Sequence, residues 1–162
     1  MTKYHLAQIN VARFRAPQED PVNADFVNAL DRVNAIAETQ PGFIWRLVGD
    51  GNDALDIRPF EDDPQMAVNM SVWRDINALA AFTYRNPEHL AIMRRRREWF
   101  EKMEVYLALW WVPAGTMPTV ADGLERVDRL RERGPTVDAF TFRSPFASPD
   151  GVVPKPVLDE CA

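Results

Sequence analysis

The chain holds a single cysteine, Cys161, next to its last residue. One thiol excludes both an intrachain disulfide and a thiolate metal site. Histidine is almost as scarce, His5 and His89 being the only two. Neither an HExxH pair nor a two-histidine carboxylate set can be written with them, so no mononuclear metal centre is expected. The seven glycines are scattered through turns, and none belongs to a glycine-rich loop that could cradle phosphate. No apolar run approaches the roughly 20 residues of a membrane span, and the opening MTKYHLAQINVARF lacks the h-region and cleavage site of a leader. The expectation is a soluble, cytoplasmic protein with no membrane partner. Basic excess is also missing, the net charge being −5, and this argues against nucleic acid as a partner. What is present suits one core: 162 residues, 46% hydrophobic and 27% charged.

The rest of the chain is organised around residues 86–103, NPEHLAIMRRRREWFEKM. Asn86 is a good N-cap and Pro87 fits the first helical position, where its missing N–H costs nothing. At about 100° per residue from His89, Met93 falls near +40°, Phe100 near +20°, Met103 near −40° and Ile92 near −60°. His89 and Arg96 lie within that apolar face, whereas Arg94 and Arg95 point away and Arg97 sits on its border. An inward guanidinium needs partners or a bound anion, because burying an unpaired charge costs several kcal/mol. A polar pocket beneath the helix is therefore expected.

Residues 4–13 read as a strand, with Gln8 and Asn10 on one face and Ile9 and Val11 on the other. Asp20-Pro21 opens a helix reaching about residue 38, its stripe formed by Val22, Phe26, Leu30, Val33 and Ala37. Residues 43–48 form a second strand, followed by a polar connection that is read as either a short hairpin or a mobile loop. Residues 67–73 are a third strand, placing Asn69, Ser71 and Trp73 on one face and Val68, Met70 and Val72 on the other. Asp75 caps a short helix before the 86–103 stretch, and residues 105–112 are an apolar fourth strand. Thr119 and Asp122 resemble a capping box for a helix striped by Val120, Leu124, Val127 and Leu130, which stops at Gly134-Pro135. Residues 137–143 are expected to be a fifth strand.

The order β-α-β-β-α-β predicts an α+β, ferredoxin-like fold with a C-terminal helix and strand, as one domain over residues 1–146 with a loose tail at 147–162. Two helices cover one face of four strands. The opposite face, with Ile9, Val11, Val68 and Met70, is too apolar for water, and a second copy packed against it would make a homodimeric α/β barrel.

YHLAQINVARFRAP, PGFIWRL, NMSVW, MRRRREWFEKM, LWWVPAGTMPT and GPTVDAFTFR together resemble domain-of-unknown-function family 3291 (DUF 3291), within the dimeric α/β-barrel superfamily. The resemblance spans roughly residues 3–146. It implies kinship with cofactor-free monooxygenases of polyketide aromatics, with haem-using enzymes and with small ring-opening or isomerising enzymes. In the antibiotic-biosynthesis monooxygenases of that superfamily, an asparagine and a tryptophan four residues later line the pocket, and Asn69 and Trp73 are similar in position and spacing.

Since the first and third strands of such a sheet are neighbours, Gln8 and Asn10 are expected to meet Asn69 and Ser71, with His89 and Arg96 above them. The candidate catalytic residues are His89, Asn69 and Arg96; the candidate substrate-binding residues are Trp73, Ser71, Asn10, Gln8, Met93 and Phe100. Singly, each has a plainer reading: His89 as a satisfied core histidine, Arg96 in a structural network, Asn69 at a bulge, Trp73 in the core. Their coincidence on one cavity favours function. The expected activity is that of a small cofactor-independent enzyme, monooxygenase-like or cyclase-like, acting on an aromatic or polyketide-type molecule. The alternatives are a non-catalytic dimer binding a small hydrophobic ligand, and a haem-binding protein ligated by His89.

Overall fold

A computed structural model describes residues 3–151 and 154–157. Its first strand, β1 (Tyr4–Arg13), is buried through its centre on both faces because it is a middle strand. It pairs antiparallel with β3 (Met66–Trp73) along one edge and with β4 (Leu107–Pro113) along the other. The short β2 (Phe43–Arg46) adds to the far side of β3, so the order is β2-β3-β1-β4. With α1 (Ala24–Thr39) between β1 and β2, and a helical run between β3 and β4, this is the ferredoxin-like β-α-β-β-α-β arrangement. A register shift between Phe43 and Trp45 inserts one extra residue in β2. Phe43 consequently packs on the helical side of the sheet while Trp45 packs on the other.

Asp20 caps the entry to α1 by accepting from the Val22 N–H, but the first turn, Pro21–Asn23, is a 3-10 helix. That tighter turn rotates Val22 outward, leaving it 54% exposed, and turns Asn23 inward instead. Val22 is thus removed from the expected stripe, which keeps Phe26, Leu30, Val33 and Ala37.

After β3, Asp75 caps α2 (Ile76–Ala80) through the Ala78 N–H, and a π-helical turn, Ala81–Arg85, leads to α3 (Pro87–Arg94). The helix expected over 86–103 does not run through. Arg95 adopts φ −96° and ψ 0°, α4 (Arg96–Trp99) adds a single turn, and Phe100 is already extended. Two forces break it. The guanidinium of Arg95 binds Asp25 of α1 and Glu98, and lies 4.8 Å over the Trp99 ring. Beyond it the backbone joins the end of β1, with Arg15 N–H donating to the Trp99 carbonyl and Glu101 N–H to that of Arg13.

The sheet face expected to be bare is covered by the chain itself. The helix α5 (Val120–Arg133), started by the capping box of Thr119 and Asp122, lies across it. Its Val120, Leu124, Val127 and Leu130 pack against a cluster holding Ile9, Val11, Val68 and Met70. The apolar area expected to call for a second copy is thus covered within the chain.

The fifth strand at 137–143 is also absent among the described residues. A turn that bridges Thr136 to Ala139 curls the segment, so only Phe140 bridges to β4, through paired backbone bonds with Leu109. The chain is tied at residue 146 and at two points beyond it. The Trp111 indole donates to the Phe146 carbonyl, Asp150 accepts from the Lys3 N–H, and Val157 N–H donates to the Phe142 carbonyl. Cys161 lies outside the described residues. No helix among those described is long and apolar enough to cross a membrane.

Candidate functional site

Between the helices and the sheet lies a cavity of about 410 Å³, within the range of small-molecule sites. All nine residues singled out from the sequence line it: Gln8, Asn10, Asn69, Ser71, Trp73, His89, Met93, Arg96 and Phe100. The sheet supplies five of them because β1 and β3 pair with Gln8 opposite Ser71 and Asn10 opposite Asn69. Along these strands the cavity runs from closed to open. Trp73, Ser71 and Gln8 are buried, Asn10 is half-buried and Asn69 is exposed.

The hydrogen bonds at the closed end set its polarity. Gln8 Nε2 donates both its protons, one to Asn69 Oδ1 at 2.7 Å and one to Ser71 Oγ at 2.8 Å. Trp73 Nε1 donates to the same Ser71 oxygen at 2.8 Å. One lone pair of the Asn69 carbonyl and both of Ser71 Oγ are thereby used, so the Asn69 amide protons and the Ser71 hydroxyl proton are the donors this wall can offer the cavity.

Trp73 does not offer a ring face to a ligand. Phe82 stacks on it at 5.5 Å and Phe43 meets it edge-on at 5.3 Å, so it forms the floor and holds Ser71. The row continues to His89, whose ring is 4.6 Å from that of Phe82.

His89 is half-buried on α3, and its Nδ1 lies 2.9 Å from the Thr83 carbonyl. A carbonyl can only accept, so Nδ1 carries the proton and Nε2 holds the lone pair. Burial pushes the imidazole below its ordinary pKa, outweighing the bond to Thr83, and the ring is neutral at neutral pH. The helical wall thus provides an acceptor opposite the donors of the sheet. Arg96, half-buried despite the break at Arg95, brings a cation to the same cavity, its guanidinium 5.7 Å from the Tyr106 ring. At the rim, Arg46 pairs with Glu38 of α1 and with Asn52, which itself bonds Asp31, so the loop after β2 is tied down beside the cavity.

Sequence reasoning missed Phe82, Thr83, Tyr106 and Arg46. For Thr83 a signal existed, since Pro87 stands four residues later and has no N–H to give its carbonyl.

The profile of one family, Domain of unknown function (DUF3291), matches residues 5–155. The chain belongs to this family. No curated protein matches it. Three solved structures show the range of its structural likeness. A Nitrosomonas europaea protein, assigned by name only to antibiotic biosynthesis monooxygenases, is 13% identical with a TM-score of 0.48, over 74% of this chain and 96% of its own. The cofactor-independent oxygenase SnoaB of Streptomyces nogalater is 19% identical with a TM-score of 0.47, over 71% and 98%. A Pseudomonas aeruginosa protein is 14% identical with a TM-score of 0.48, over 72% and 99%. At these scores the likeness says nothing of activity in this DUF3291 member, for which the site itself must speak. Among the described residues, no group of three or more His, Cys, Asp or Glu side chains could hold a metal ion.

Proposed function

We propose that this DUF3291 protein is a small cofactor-independent enzyme, monooxygenase-like or cyclase-like, acting on an aromatic or polyketide-type molecule held between helices and sheet. One observation carries the reading: a histidine whose Nδ1 is held by the Thr83 carbonyl shares a cavity with the hydrogen-bond donors of Asn69 and Ser71. His89 Nε2 takes a proton from an acidic C–H or O–H of the substrate. Asn69 and Arg96 stabilise the resulting enolate or phenolate, which is where donors accelerate such a step. Met93 and Phe100 enclose the apolar part of the ligand, and Gln8, Asn10 and Ser71 fix the donor wall. Trp73, buried against Phe82 and Phe43, shapes the floor. In the oxygenation branch the anion reacts with dissolved dioxygen: one ring CH2 becomes C=O, one O2 is consumed and one water is released.

The test is oxygen uptake with an anthrone as probe, followed by mass analysis of the product. Catalysed uptake that falls by about 100-fold in His89→Gln supports the reading. Uptake equal to buffer, with the probe nonetheless bound, would leave a ligand-binding protein. Uptake unchanged in His89→Gln would remove the histidine from the chemistry.

A second reading draws on the same histidine. An Nδ1 proton held by a carbonyl with Nε2 left for the cavity is the arrangement of a ligating imidazole, so His89 is the residue that would hold a haem, whose iron would supply redox chemistry. A Soret band on adding haemin, lost in His89→Ala, would favour it; its absence would remove it.

A further inference from the structure

The Thr83 carbonyl is without a helical donor for two reasons that lie in the sequence. In an α-helix it would accept from residue 87, but that residue is Pro87, which has no N–H. In the π-helical turn that contains it, it would accept from residue 88. The Glu88 N–H is taken by the Asn86 side chain at 3.1 Å, which also caps His89 at 3.2 Å. Pro87 further holds Asn86 extended, at φ −76° and ψ 121°, so that the two helices cannot merge. The carbonyl then turns to the first side-chain donor above it, Nδ1 of His89 at 2.9 Å.

We infer that Pro87 and the Thr83 carbonyl are a positioning device, which locks His89 in the Nδ1–H tautomer and makes Nε2 a fixed acceptor toward the cavity. This deepens the proposed function and rests on its reading of the cavity as a ligand site. A ligand that engages His89 must bring a proton, as a hydroxyl, an N–H or an acidic C–H; a ligand offering only a carbonyl there meets lone pair against lone pair. The sheet wall offers the Asn69 amide and Ser71 hydroxyl protons, so a ligand with a proton at one end and a carbonyl at the other can engage both walls.

The test is a long-range ¹H–¹⁵N NMR spectrum of the labelled, ligand-free full chain above pH 7, with His5→Gln to assign the two imidazoles. The expected result is one neutral His89 species, Nε2 in the pyridine-like region and Nδ1 in the pyrrole-like region. In Pro87→Ala, which restores an N–H and lets the helices join, the Nε2–H form should appear and average the two shifts toward each other. If that variant fails to fold, Asn86→Ala asks the same question by releasing the Glu88 N–H to the carbonyl. An Nε2–H or evenly mixed wild type would overturn the lock, and a folded variant with the wild-type spectrum would overturn the role of Pro87. Because no ligand is present, a failed substrate screen leaves this result standing.

Discussion

Gly123 of α5 lies so close to Ile9 of β1 that a Cβ on it would stand 2.6 Å from the Ile9 Cδ1 and 3.3 Å from its Cβ. Met70 closes the same space, its Cε 3.2 Å from that position. The glycine is what lets a helix sit flat on a sheet whose residues here are Ile and Met.

Adding side chain at that point should therefore cost stability in proportion to bulk. Gly123→Ala gains about 1 kcal/mol of helix propensity against the crowding, so its net loss should be small. Gly123→Val gains less propensity and adds two methyls, and should lose about 1–3 kcal/mol. Urea midpoints give the comparison; equal stabilities would show that α5 does not bear on the sheet here.

The donor wall predicts the effect of one isosteric change. Gln8→Glu replaces an NH2 that serves both Asn69 and Ser71 with an oxygen facing the Asn69 carbonyl, leaving only the Ser71 hydroxyl to turn and donate to it. It should cost about 1–3 kcal/mol, with less loss at acid pH where the new carboxyl is protonated and can donate once. Trp73→Phe, which removes only the bond to Ser71, should cost about 0.5–1.5 kcal/mol from that bond, with loss of indole volume adding to it. Urea unfolding of both variants at pH 5 and pH 8 measures the difference.

His89 predicts a pH dependence of known sign. Its folded pKa lies below the ordinary 6.5, so the neutral form is the one the fold favours. Its contribution is complete above that value and is lost as pH falls toward and through the folded pKa, because the unfolded chain takes up the proton first. His89→Gln should flatten this part of the stability profile. Asp122, whose pKa is lowered chiefly by the Thr119 backbone N–H and also by the Thr119 hydroxyl, contributes above its ordinary 3.8 and fails at lower pH. The two windows are separate enough to assign in thermal melts from pH 3 to pH 8.

Two adjacent arginines should behave differently. Arg95 ties Asp25 of α1 to Glu98 beside the helix break, so Arg95→Met should lower the urea midpoint without altering ligand binding. Arg96→Met keeps the stem, loses the guanidinium's contacts, that with Tyr106 among them, and should weaken binding or turnover. A reversed pattern would place the functional cation on the wrong residue.

How much of this was readable before the structure is clear from individual residues. Alternation in β1 and β3 put Gln8, Asn10, Asn69 and Ser71 on one side, because a period of two survives any shift of the ends. The inward turn of Arg96 was legible from helical phase. The break one residue earlier was not, since it comes from Asp25 and Arg13, remote in sequence. Arg95 does point outward, as the helical phase says, but its ion pair with Asp25 was not legible because that partner is 70 residues away. The stripe of α5 and the apolar sheet face were both visible, and each needed cover. What the pattern alone could not say was that they cover each other, a question of three-dimensional reach across the turn at Gly115.

The central place of β1 has a consequence for the order in which the protein is made. Leu6 pairs with Trp73 on one side and Trp111 on the other, so the strand leaves the ribosome well ahead of both its partners. At about 5–20 residues per second, roughly 5–20 s pass before β4 exists. Throughout that interval Ala7, Ile9 and Val11 are held on a strand with an open edge, which is the condition under which nascent chains bind chaperones or one another. Of the strands in this sheet, the one made before the rest is the last to be flanked on both sides.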